Sequence, residues 1–322
     1  MAKWLTGLVA VVALIWGGWW WFGSGAAERG IIAGIEAARA QGWRIEYDDL
    51  SVVGFPSRFD TTVTDPRVTT PDGDILWSAP FVQAFALAYR PNHVIAVAPP
   101  EMTLDLPGNA IDITNEALRG SVIVTPSTTP VLDQSTVEGM AVRVALADLW
   151  GEAATALLAT RQAGTETAHD VALSLSDITL SPAIRDLLDT QGQLPDRIDA
   201  VKVEAEIGLT DAVGPGRQPI IQTVLLRRGE IVWGDIRADL TGEVAVDADG
   251  RPDGALTLAL EGWEPLMAGA VAQGLLTTGE AAILNAGVAG LAGNDGIARV
   301  PVTVSNGTVS VFGLQVVVLP PS

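Results

Sequence analysis

Cysteine is absent from all 322 residues. Its absence excludes disulfides, thiolate zinc sites, iron–sulfur clusters and a cysteine nucleophile together. Lysine is nearly absent too, occurring only at Lys3 and Lys202, and the net charge is −19. Arg227-Arg228 is the sole adjacent basic pair. Binding nucleic acid requires a basic patch that releases phosphate counterions, so nucleic acid is not an expected partner. Histidine occurs twice, at His93 beside Pro91-Asn92 and at His169 before a strand starting at Val171. Both read as solvated turn residues. No His-x-x-x-His, His-Glu-x-x-His, Gly-x-Ser-x-Gly or Gly-x-x-x-x-Gly-Lys pattern occurs. Zinc-hydrolase, serine-hydrolase and phosphate-loop chemistry therefore lack their signatures.

What the chain does have is apolar mass. Hydrophobic residues make up 48% of it and its mean hydropathy is +0.32, which argues against general disorder. Trp4 to Phe22 is a run of nineteen residues without a charge, preceded by Lys3. As a helix it would span roughly 28 Å, close to a bilayer's hydrocarbon core. Trp4, Leu8, Val12, Trp16, Trp19, Trp20 and Trp21 would form this anchor, with the later tryptophans at the headgroup level. The rival is a cleaved secretory signal, for which Ser24-Gly25-Ala26 is a passable small-residue site. The tryptophan cluster favours retention. Either way the domain is exported; retained, the chain sits in the inner membrane with its N-terminus cytoplasmic and its main domain periplasmic.

Residues 28–41 have apolar positions at 31, 32, 35 and 38 and predict a short amphipathic helix ending before Gly42. From Trp43 the period becomes two. Trp43-Ile45-Tyr47, Phe59-Thr61-Val63, Met102-Leu104-Leu106, Val142-Val144-Leu146, Val171-Leu173-Leu175, Val201-Val203-Ala205-Ile207 and Leu256-Leu258-Leu260 alternate mainly with polar residues. This is the pattern of antiparallel strands with one face covered or lining a cavity. Asp249-Gly250 and Asn306-Gly307 predict hairpin turns. Helical spacing returns at 146–160, at 182–188, and over 264–291, where Thr277-Thr278-Gly279 separates two helices and Glu264 and Glu280 are the only charges. The expected fold is α+β and mainly antiparallel β: curved sheet or sheets covered by a few apolar helices, behind the transmembrane helix. Expected divisions are 1–27 (anchor), 28–165 and 166–322 (two β-rich halves). Phe59, Leu104, Val142, Leu173, Val203 and Leu258 are the candidate positions of an apolar groove.

No constellation demands an enzyme. Asp247 to Gly254 superficially suggests a calcium loop but lacks the glycine placement and distal acid of an EF-hand, so it reads as a hairpin tip. Asp48-Asp49, Asp72/Asp74 and Asp235/Asp239 could be paired carboxylates, yet acids are common enough here for coincidence. No cofactor is expected.

Several segments together carry a family resemblance: the Trp-rich start, Gly54-Phe55-Pro56-Ser57-Arg58-Phe59, Trp77-Ser78-Ala79-Pro80, and Val300-Pro301-Val302-Thr303-Val304-Ser305-Asn306-Gly307 leading to Leu319-Pro320. The pattern resembles domain-of-unknown-function family 2125, membrane-anchored envelope proteins of Gram-negative bacteria, and more broadly the AsmA-like set implicated in envelope lipid handling. The expected partners are membrane lipids and envelope proteins, and the resemblance supplies no catalytic residues. Gly54-Phe55-Pro56 itself reads as a strand-to-strand corner, with Phe55 plugging the core and Arg58 pairing with an acid. Two uses follow: an apolar-ligand module, or a non-enzymatic assembly protein working through protein contacts.

Overall fold

The computed structural model describes residues 25, 28–55, 57–189, 192, 194–247, 249–274 and 276–318. The expected anchor, Trp4 to Phe22, lies outside them. Among the described residues no helix is long and apolar enough to cross a membrane. The fold is mostly antiparallel β with few helices, in two compact units, 1–124 and 125–322. The division expected at 165/166 falls instead in a hairpin loop of the second unit.

In the first unit, helix α1 (residues 28–40) ends as predicted, and Gly42 takes φ +97°. Ten strands follow: β1 (Arg44–Glu46), β2 (Asp49–Val53), β3 (Arg58–Thr64), β4 (Arg67–Thr69), β5 (Leu76–Ser78), β6 (Phe81–Leu87), β7 (Arg90–Val97), β8 (Glu101–Leu106), β9 (Asn109–Thr114) and β10 (Ala117–Val124). They are five long strands, each interrupted once. One set pairs in the order β2-β3-β6-β7-β10 and the other in the order β1-β4-β5-β8-β9. Three of the five interruptions carry proline, at Pro66, Pro80 and Pro99-Pro100. A proline has no N–H to continue a ladder but keeps its carbonyl as an acceptor. The interruptions are accordingly stitched to one another: Asp65 N donates to Pro80 O (2.9 Å), Ala79 N to Pro66 O (3.3 Å) and Asn115 N to Pro100 O (2.9 Å). The buried Asn115 side chain adds a bond from Nδ2 to Pro99 O at 2.9 Å.

The β2–β3 corner is built as its residues suggest, with one correction. Gly54 sits at φ +110°, and a Cβ there would lie 2.9 Å from Arg58 O, so a side chain is excluded. Arg58 pairs with Asp60 and lies over the Phe85 ring at 5.8 Å. Phe59 is buried, whereas Phe55 is 60% exposed and does not plug the core. The difference follows from position, because Phe59 lies in the β3 ladder and Phe55 in the turn before it.

The second unit is a ten-stranded antiparallel meander in which each strand pairs with the next. Its strands are β11 (Leu132–Leu146), β12 (Leu149–Gln162), β13 (Ala168–Leu180), β14 (Arg197–Leu209), β15 (Ile221–Trp233), β16 (Ile236–Val246), β17 (Pro252–Glu261), β18 (Ala298–Ser305), β19 (Thr308–Val311) and β20 (Leu314–Val318). The helical spacing over 146–160 is overruled. Those residues are mostly β12, paired along its length with β11 and β13. Alanine-rich sequence favours helix only weakly, and two long ladders outweigh it. The other helices form where expected: α2 (Pro182–Leu188), capped by Ser181, then α3 (Glu264–Ala272) and α4 (Thr278–Gly290), the last with a Thr277–Glu280 capping box. Asn306 (φ +50°) and Gly307 (φ +78°) make the β18–β19 turn. The core lies where α3 and α4 meet β17 and β18: Trp263, Val288, Ala298 and Val300 are buried together, with Leu258, Leu260 and Met267 packed against them.

Replacing Asn115 with Ala removes a buried side-chain donor at an interruption, and the protein is expected to lose about 1–2 kcal/mol in urea denaturation. An unchanged midpoint and slope would show that the stitching is not structural.

Candidate functional site

Side chains alternate across a strand, so the register of each ladder decides what shares a face. In the second unit one transverse row reads Val137, Leu158, Leu173, Val203, Gly229, Leu240, Leu258 and Val300, each opposite the next across eight consecutive strands. The row one residue away, on the other face, reads Glu138, Leu157, Ser174, Lys202, Glu230, Asp239, Ala259 and Arg299. The first row contains no polar side chain. A second row on its face, Gly139-Ala156-Leu175-Val201-Ile231-Ala238-Leu260-Ala298, is equally apolar.

This apolar face is covered at both ends of its strands and unevenly between them. At one end, Trp233 and Ile236 are buried, and Trp233 Nε1 donates to Pro195 O (2.8 Å) in the connection after α2. At the other end the β14–β15 loop reaches across the ends of β13 and β12, where Leu132 N donates to Val213 O (2.8 Å). Ala212, Val131 and His169 are buried there. Along the row, Val300 is buried, Leu258, Leu240, Val203 and Leu173 are half-buried, and Val137 and Leu158 are exposed. Cover is thus thickest at β18 and thinnest at β11 and β12.

The opposite face is held by ion pairs. Glu230 is 4% exposed and accepts from Arg228 (2.7 Å), with Arg237 at 3.5 Å and Lys202 at 3.7 Å. Arg227, the other half of the basic pair, bonds Asp170 (2.7 Å) and Glu206, while Arg161 also reaches Asp170 at 3.2 Å. Adjacent arginines would normally point to opposite faces. A register shift between Leu226 and Gly229 lets both serve the polar face. A shallow cleft of about 390 Å³ lies here, lined by Ala159, Ala172, Arg161, Asp170 and Arg227 among others. The Arg227 hydrogen bond, ahead of the opposing effect of burial, holds the Asp170 carboxyl below the usual range, and the Arg228 bond does the same for Glu230. Among the described residues every carboxyl with a resolved shift is lowered, the others being Asp72, Glu280 and Asp295. These carboxylates stay ionised in structural pairs and caps, the opposite of a raised general acid.

Three of the six candidate groove positions come together. Leu173 and Val203 are direct partners in the row and Leu258 lies three strands further on. Val142 does not join them: it lies beyond a break at Ala141 (φ +47°), opposite Ala153. Phe59 on β3 and Leu104 on β8 belong to the first unit, in strands that do not pair with one another. Both histidines depart from the solvated-turn reading. His93 lies in β7 with Nε2 2.8 Å from Ser121 Oγ, and His169 lies in β13, 3% exposed, its Nδ1 3.4 Å from Thr160 Oγ1. Each falls in a paired strand rather than a turn, where His93 is half-buried and His169 is buried. Asp247, read as part of a hairpin tip, accepts the backbone N–H of Asp249 and Arg251, both at 2.9 Å, as the cap of its turn. Among the described residues no cluster of three or more histidines and acids is placed to hold a metal. Leu240 and Gly229, essential to the row, gave no local signal; only register reveals them.

The model of a family described as "uncharacterized protein conserved in bacteria (DUF2125)" matches residues 20–320. No curated protein and no solved structure matches the chain.

Glu230 offers a pH test of the polar face. Its folded pKa lies below the usual 4.5, so its contribution is present at neutral pH and is lost as pH falls through the folded value. Glu230→Gln is expected to melt below the wild type at pH 7, with the gap closing as pH falls below about 4.5. A gap that stays constant down to pH 3 would contradict the pairing.

Proposed function

The chain belongs to the DUF2125 family, and we propose that it is a non-enzymatic, membrane-anchored periplasmic protein that binds lipid or another apolar ligand along the apolar face of its second unit. The supporting observation is the eight-strand row: all apolar, backed by an ionic face, and exposed at its β11–β12 end. At about 4.8 Å per strand the row extends roughly 34 Å, long enough for an extended acyl chain. Each methylene removed from water on such a surface contributes about 0.8 kcal/mol, so binding would grow with chain length and need no specific polar contact. The anchor would keep the unit at the inner membrane, where such ligands are at hand, and envelope lipid transport is the process this arrangement suits. The alternative, an assembly or scaffolding protein, uses the same exposed Val137 and Leu158 as a protein contact.

Lipid extraction and mass spectrometry of the purified full chain separate the two. Co-purifying lipid is expected in the wild type, falling at least about tenfold in Leu173→Asp, which places a charge in the row. Ser174→Asp, one residue away on the polar face, is expected to retain it. Wild-type protein free of lipid, and cross-linking stoichiometrically to an envelope protein, would favour the scaffold.

A further inference from the structure

We propose that the helical end of the second unit, the α3–α4 hairpin with the tip of α2, is a docking surface for a lipid bilayer. This goes beyond the ligand-binding reading and does not depend on it.

Helix α4 buries Ala281 and Val288 toward β18, with Leu284 half-buried. Beyond its exposed first turn, its other side consists of Ala282, Ile283, Asn285, Ala286, Ala289 and Gly290, all exposed, with Ile283 at 66%; Asn285 is the one polar residue among them, and its Oδ1 accepts from Trp263 Nε1 at 2.9 Å. A helix on a water-facing surface normally turns a charged or polar face outward. Here residues 265–279 and 281–294 contain no charge at all, in a chain whose net charge is −19. Glu280 between them is spent on the capping box, accepting from Thr277 N at 2.8 Å. The patch extends on both sides. A Cβ on Gly269 of α3 would lie 3.2 Å from Leu188 O, so the tip of α2 abuts α3 and adds Leu187 (59% exposed) and Leu188. A Cβ on Gly287 of α4 would lie 3.3 Å from the ring of Phe312, which is also exposed. Arg185, paired with Asp196 at 2.6 Å, and Asp186 mark the charged limit on α2.

The composition selects the occupant. Protein-binding hot spots are built on tryptophan, tyrosine and arginine, and the outward face of α4 offers none. Alanine, glycine, isoleucine and leucine with no charge suit an apolar medium entered without directional contacts, which is the bilayer interface. The uncharged Trp4 to Phe22 stretch reads as a tether that keeps such a bilayer within reach. With no lysine or arginine in the hairpin, contact is by insertion rather than by attraction to anionic headgroups, so added salt should not release it.

The absence of cysteine makes the test clean. The full chain carrying Ile283→Cys, labelled with an environment-sensitive nitrobenzoxadiazole dye, is reconstituted into phosphatidylcholine vesicles containing lipids brominated on their acyl chains. Asp249→Cys, at the β16–β17 turn remote from the helical end, is the reference. The expected result is blue-shifted emission with at least about twofold quenching at position 283, unchanged by salt, and none at 249. Quenching should persist at 283 in the Leu173→Asp background, so that failure of docking and failure of ligand binding are read separately. No quenching at 283, or equal quenching at both positions, overturns the proposal. So does a blue shift that depends on protein concentration without lipid quenching, which would assign the patch to a second copy of the chain.

Discussion

Strand register is the constraint on which the second unit depends. Ten strands are laid side by side so that apolar residues from eight of them fall on one line and mostly polar residues, all but Leu157 and Ala259, on the adjacent one. A slip of one residue in any ladder would exchange those faces and put Lys202 or Glu230 where Val203 or Gly229 stands. Several devices hold the register. Gly242 sits at φ +145°, where a Cβ would stand 2.3 Å from Ala255 O, so the β16–β17 pairing tolerates no side chain at that position. The irregularity at Arg227-Arg228 inserts one residue without losing the phase, and the ion pairs of Glu230 join β14, β15 and β16 from the polar side.

The first unit solves a related problem by different means. Its five long strands are each interrupted, and at three interruptions proline ends the ladder while its carbonyl accepts the bond that joins neighbouring strands. Breaking long strands in step keeps the two sets of five in register with each other's ends without requiring uninterrupted ladders. The closely packed Gly54 corner and the buried Phe59 begin the same construction at the β2–β3 turn.

Legibility in the sequence follows from how local each feature is. Period-two alternation exposed most strands because their two faces differ in polarity, and the Thr277–Glu280 box and Asn306-Gly307 declared a helix start and a turn through nearest neighbours alone. The reading of 146–160 as helix failed because Leu149, Ala153, Ala156 and Leu157 fit helical spacing as well as they fit a strand, and only β11 and β13 decide between them. Phe55 and the histidines were misplaced for the same reason: a residue's burial depends on which neighbouring strands close over it. Leu173, Val203 and Leu258 were recognisable as apolar face positions, but that they share one line with Leu240 and Gly229 is a property of seven ladders at once. Val142 shows the converse: it alternates like a face residue, yet it lies beyond the break at Ala141 and pairs with Ala153, away from the row of Val137 and Leu158.

The proposed function rests on the contrast between two adjacent rows. An acyl chain lying on the apolar face would touch Leu173 and leave Ser174 alone, although the two are neighbours in the chain. A photoreactive amino acid placed at each position in turn, with cross-linking in native membranes and mass analysis of the adducts, measures that contrast directly. Lipid adducts at position 173 with none at 174 are the predicted result. Equal labelling at both positions, or lipid adducts at neither, would contradict the account.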